Sequence, residues 1–178
     1  RQAPFLPLLM GHAQLQPMLL ARVSTLLATT FHPTATAAAL DSLYEQHRTD
    51  LEADHARWRT ELNNPPPEAS LAHLHEHLTQ RPAALLQQLA SASGRRLEFL
   101  QLEVPSAQEG SVLLNGRALP EGRQRVAWFS GVPATLELVP NPGYVVERPL
   151  GMEAGQQIIL KDATEAGKLR LRFRYAGP

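Results

Sequence analysis

Near residue 94 the spacing of apolar residues changes from a helical period to a two-residue alternation, and no single regular layer satisfies both. Upstream of that point, Leu15, Leu19, Val23, Leu26 and Phe31 fall on one helical stripe. Leu40, Leu43, Tyr44, Leu51, Trp58 and Leu62 form a second stripe at i, i+3, i+4 and i+7 spacing. Pro33, within HPTAT, separates the two, and a Thr is available to cap the helix that follows. Pro65 to Pro67 ends that helix and is well suited to start another. A third helix is predicted over about Glu68 to Ala92 on Leu71, Leu74, Leu78, Leu85 and Leu89, with Pro82 expected to kink or split it.

Past SASGRR the segments LEFLQLEV, GSVLL, RVAWF, ATLELV, GYVVE, QQIILK and KLRLRFRY are short and β-prone, with turn residues between them. Asn115-Gly116 is a strong tight-turn signal, and Pro-Asn-Pro-Gly at 140–143 is another. The last segment places Leu169, Leu171, Phe173 and Tyr175 on one face, with Lys168, Arg170, Arg172 and Arg174 on the other. The chain is therefore expected to be α+β. An N-terminal bundle of three to four helices, residues 1–94, precedes a small antiparallel β-sandwich, residues 95–178.

Composition narrows the function classes. Hydrophobic residues at 43% and charged residues at 19% suit a packed chain rather than a disordered one. Seventeen basic and 17 acidic residues cancel, so no global field favours nucleic acid or an anionic membrane. The absence of cysteine removes disulfides, thiol catalysis and Cys-ligated metal. Apolar runs such as APFLPLLM are too short to span a bilayer. The first residue is Arg1 rather than Met, which reads as a piece cut from a longer polypeptide.

Few residues suggest chemistry. His73, His75 and His77 alternate, so on a helix His73 and His77 share a face while His75 points largely away. Leu74 stands where a zinc hydrolase motif needs Glu, and a solvated helix face accounts for the run better than a metal site. His47, Asp50 and Asp54 form a second candidate group, and Asp50 and Asp54 are spaced to hold a hard cation. Arg48, Arg57 and Arg59 explain the same letters as a neutralised exposed face. Tyr44 and Trp58 lie on the apolar stripe and are expected in the core. No G-x-S-x-G elbow and no phosphate-binding glycine loop occurs. No cofactor is expected. The candidate partner-contact residues are Trp128, Phe129, Arg170, Arg172 and Arg174, the arginines serving equally well to guard an edge strand.

Three helical stretches occur in a recognisable order: PLLMGHAQLQPMLLARVSTLLATTF, ALDSLYEQHRTDLEADHARW and LHEHLTQRPAALLQQL. Together, with Arg57-Trp58 and Arg81-Pro82 the most specific pairs, they resemble the C-terminal stretch of the CotH family, atypical protein kinases first known from bacterial spore coats. The β half, through GSVLLNG and WFSGVPATLELVPNPGYVV, resembles bacterial repeat modules attached to such proteins and to surface adhesins. It departs from that module near Arg148-Pro149, where an aromatic residue is absent. In the CotH family the nucleotide-binding Lys and the metal-binding acidic residues lie upstream of the matched stretch, so the resemblance carries none of them onto this chain. It implies a non-catalytic C-terminal fragment acting in structural support and in contact with a protein or cell-surface partner, the preceding part of the same polypeptide included. It also implies an extracellular, cell-surface or spore-coat location. Two other readings stand beside it: a surface or carbohydrate-binding module using Trp128 and Phe129, and a small metal-dependent enzyme using His47, Asp50 and Asp54.

Overall fold

The computed structural model describes residues 5–147, 157–160 and 171–177. Their order is α1 (Phe5–Gly11), α2 (Leu15–Ala28), α3 (Pro33–Leu62), α4 (Pro67–Ser93), β1 (Leu97–Val104), β2 (Gly110–Leu114), β3 (Arg117–Ala118), β4 (Gly122–Phe129), β5 (Ala134–Pro140), β6 (Tyr144–Glu147), β7 (Gln157–Leu160) and β8 (Arg172–Tyr175). The architecture is α+β, with antiparallel strand pairing throughout the described sheets. Among the described residues no helix is long and apolar enough to cross a membrane.

The proline signals are resolved individually. Pro33 occupies the first turn of α3, where a missing N–H costs nothing. Asn63, in a left-handed conformation with φ of 48°, ends that helix ahead of the prolines. Pro82 neither ends nor divides α4, which runs through it. The ring removes the bond to the carbonyl four residues back and crowds that carbonyl, but the following Ala-Ala-Leu-Leu favours continuation. Phe31, expected on the stripe of α2, lies beyond the helix end and is 51% exposed.

The strands pair as a β1–β4 ribbon, a four-stranded sheet in the order β3-β2-β5-β7, and a β6–β8 ribbon. Alternation places one face of each longer strand inside: Leu100, Leu102 and Val104 from β1, Val112 and Leu114 from β2, and Leu136 and Leu138 from β5 are all buried. Leu114 pairs with Arg117, leaving Asn115-Gly116 as a two-residue loop with both residues at positive φ, 48° and 76°. At the second turn Gly143 has φ of 86°, and the Tyr144 N–H donates to the Asn141 carbonyl at 3.0 Å. On β8, Arg172 and Arg174 are exposed, Phe173 and the preceding Leu171 are buried, and Tyr175 meets Tyr144 edge-on at 5.4 Å. Lys168, Leu169 and Arg170 lie outside the described residues.

The chain separates into two compact units, and the division does not follow a cut at residue 94. One unit comprises Arg1–Thr29 with Leu86–Pro178, the other Thr30–Leu85. Within the first, α2 joins the strands because its inner face is covered: Leu20, Ser24 and Thr25 are each no more than 1% exposed. Asn115 fixes that placement. Its Nδ2 donates to Thr25 Oγ1 at 3.0 Å, while its Oδ1 accepts from the Thr135 N–H at 2.9 Å. Arg95 adds a second tie, donating to Gln16 Oε1 at 3.0 Å and to the Ser130 carbonyl at 2.8 Å.

Candidate functional site

Within the unit Thr30–Leu85, no residue is buried, an unusual state for 56 ordered residues in which leucine recurs at helical spacing. The helices stand on local grounds. Alanines fill the first turns of α3, Thr36 Oγ1 donates to the His32 carbonyl at 3.2 Å, and Arg48 bonds Glu52 at 2.8 Å one turn along. That pair, with Glu45 beyond it, favours the charged form of Arg48. Tertiary burial adds little to α3. Leu43 is 56% exposed, Leu51 41%, Trp58 37% and Leu62 60%.

Leu43, Leu51 and Trp58 line an open groove of about 690 Å³ together with Leu40, Tyr44 and, from α4, Leu71 and Leu74. Its polar members include His47, Asp54, His55 and Arg59, and Pro65 from the linker with Pro67 at the start of α4 complete the wall. Trp58 carries the Arg57 guanidinium 5.2 Å from its ring centroid. The Tyr44 hydroxyl titrates above its ordinary range, first because it is desolvated and then because the Glu68 carboxylate disfavours a second negative charge beside it. Across the helices, His75 Nε2 meets Asp41 Oδ1 at 2.7 Å. His73 and His77 remain exposed, so the three alternating histidines do not converge.

Trp58 and Tyr44, expected in the core, therefore belong to an open apolar wall. A two-helix layer has no third element among its own residues to cover that face. Trp128 and Phe129, expected at a contact surface, have the opposite fate: each is 1% exposed. The chain folds back after β4 through Gly131 at φ of 67°, and Trp128 Nε1 donates to the Val132 carbonyl at 2.6 Å, which encloses both rings. Neither ring can meet a partner or a glycan in this fold. Of the candidate arginines, Arg172 and Arg174 are exposed, whereas Arg170 lies outside the described residues. His47 and Asp54 border the groove, and Asp50 is exposed on α3 without lining it. Among the described residues no three His, Asp or Glu side chains are grouped to hold a metal ion.

Chemically the groove offers apolar area, an indole, two imidazoles and a carboxylate, all open to solvent. This is the character of a docking surface for another apolar face. Compared with protein-family models, curated proteins and solved structures, the chain gives no match in any of the three.

Proposed function

We propose that this chain is a non-catalytic contact module whose α3–α4 groove receives the apolar face of a helix from a protein partner. One observation carries the reading: a 56-residue helical unit buries none of its residues and leaves Leu43, Leu51, Trp58 and Leu74 open around one groove. Apolar stripes at helical spacing gain little from ordering unless something covers them, and a partner helix supplies matching knobs at the same spacing.

The same reading places the chain at the C-terminal end of a CotH-like protein, with the phosphate-transferring groups in a preceding part. What supports that parentage is the order of the three helical stretches and the pairs Arg57-Trp58 and Arg81-Pro82. The first partner to test is then the kinase-like part itself, and the setting is a spore-coat or cell surface.

The apolar probe 1-anilinonaphthalene-8-sulfonate tests the surface directly. Its fluorescence is expected to rise on mixing with the purified chain, and to fall several-fold with Leu51→Glu while helicity is kept. Unchanged dye binding in Leu51→Glu would remove the groove as the contact surface. Tight binding of Mg-ATP by the isolated chain, or phosphate transfer from it, would end the non-catalytic reading.

A further inference from the structure

A second concavity lies wholly within the β-rich unit, and arginines rather than leucines dominate its rim. It is an open space of about 650 Å³ between the β1–β4 ribbon and the start of β8. Arg123 and Arg125 reach it from β4 and Arg172 from β8, while Leu102, Leu171 and Phe173 form a buried floor. The strand register explains the convergence. Gln101 stands opposite Arg125, and Glu103 opposite Arg123, so the exposed face of this ribbon alternates cationic and acceptor groups at cross-strand distance. Arg125 is held by stacking, with its guanidinium 3.6 Å from the centroid of the Phe99 ring. Stacking occupies the flat face of a guanidinium and leaves its N–H edge free for a planar acceptor. Among the described residues, none of the three arginines has a carboxylate within ion-pair distance, although Glu103 and Glu109 both line the groove.

We infer that this groove binds a carboxylate-bearing oligosaccharide. The guanidinium forks match carboxylates in bidentate geometry. Glu103 and Glu109 accept from hydroxyls, and Gln101 and Ser106 accept or donate as a sugar requires. The two glutamates also argue against a densely charged polyanion. Each would repel a closely spaced phosphate, and the neutral chain supplies no long-range attraction to offset that. What fits is a ligand with an occasional negative charge among many hydroxyls, in a space of the size usual for small-ligand sites. The inference does not depend on the helical groove or on the parentage proposed for the chain.

Trigalacturonic acid is the probe, titrated into the intact chain by calorimetry, with galactotriose and a tri-glutamate peptide as controls. Trigalacturonate is expected to bind, more weakly as salt rises, and both controls to bind at least ten-fold more weakly. Combined Arg123→Gln and Arg172→Gln substitutions are expected to lower affinity ten-fold or more with the thermal transition unchanged. Arg174→Gln, an exposed neighbour that does not line the groove, should leave affinity as it was. Equal binding of tri-glutamate would make this an acidic-peptide site and overturn the proposal. No binding of trigalacturonate, or binding indifferent to the paired arginine changes, would overturn it as well.

Discussion

The two units put leucine to opposite ends. In the β-rich unit Leu20, Leu100, Leu114 and Leu136 are fully covered, whereas in the helical unit Leu43, Leu51, Leu62 and Leu74 are between 41% and 60% exposed. Burial of a leucine side chain is worth about 1.5–3 kcal/mol, and the first four collect it in full. A leucine stripe therefore marks a core only where a second layer exists to meet it; elsewhere the same stripe is a surface.

The sharpest way to break this comparison is to truncate one leucine of each kind. Leu136→Ala is expected to cost about 2–5 kcal/mol, because a void opens in the core against the buried face of the sheet. Leu51→Ala is expected to change stability by no more than about 0.5 kcal/mol. Urea unfolding followed by Trp128 emission in a Trp58→Phe background reads the first change, and ellipticity at 222 nm in the native background reads the second; equal losses would erase the distinction.

Much of the β-rich unit was legible because its signals are local. LEFLQLEV and GSVLL became β1 and β2 at the expected bounds, and Asn115-Gly116 formed the tight turn its backbone preferences require. Other features were hidden for physical reasons. α1 has no polar spacing in FLPLLM to reveal a helical period. Trp128 and Phe129 are adjacent on a strand, so alternation predicts one ring inside; only the fold-back at Gly131 encloses the second. The exposure of Trp58 did leave a trace in the sequence. The seam Leu40, Tyr44, Leu51, Trp58 is interrupted at the intervening positions by His47 and Asp54, which a water-free seam would not carry. The arginine groove left none, since Arg172 shares a concavity with Arg123 and Arg125 only when strands of two separate ribbons come together.

A smaller effect tests what holds α2 in the well-packed unit. Asn115→Ala removes the hydrogen bonds to Thr25 and Thr135 and strains a residue at φ of 48°. A loss of about 1–2 kcal/mol is expected by thermal or urea unfolding. Asn115→Gly should lose less, because glycine restores the backbone preference without restoring the bonds. A neutral Asn115→Ala would show that α2 does not depend on this tie.

The smallest expected effect belongs to the helical unit and to alkaline pH. Because Tyr44 has its hydroxyl raised above the ordinary value of 10.0, the folded helices favour the neutral phenol. That contribution is complete below the ordinary value and is lost as pH rises through the higher folded one. Helicity at 222 nm should fall at alkaline pH more in the native chain than in Tyr44→Phe, and coincident curves would remove Tyr44 as the cause.

The central claim is that the α3–α4 seam is a working surface rather than a core, and the thermal midpoint of Leu51→Glu tests it most directly. A charge placed on an open face should shift the helical melting transition by no more than about 2 °C. A fall of about 10 °C or more would mean that Leu51 is buried in the folded chain, and the contact surface would have to be abandoned.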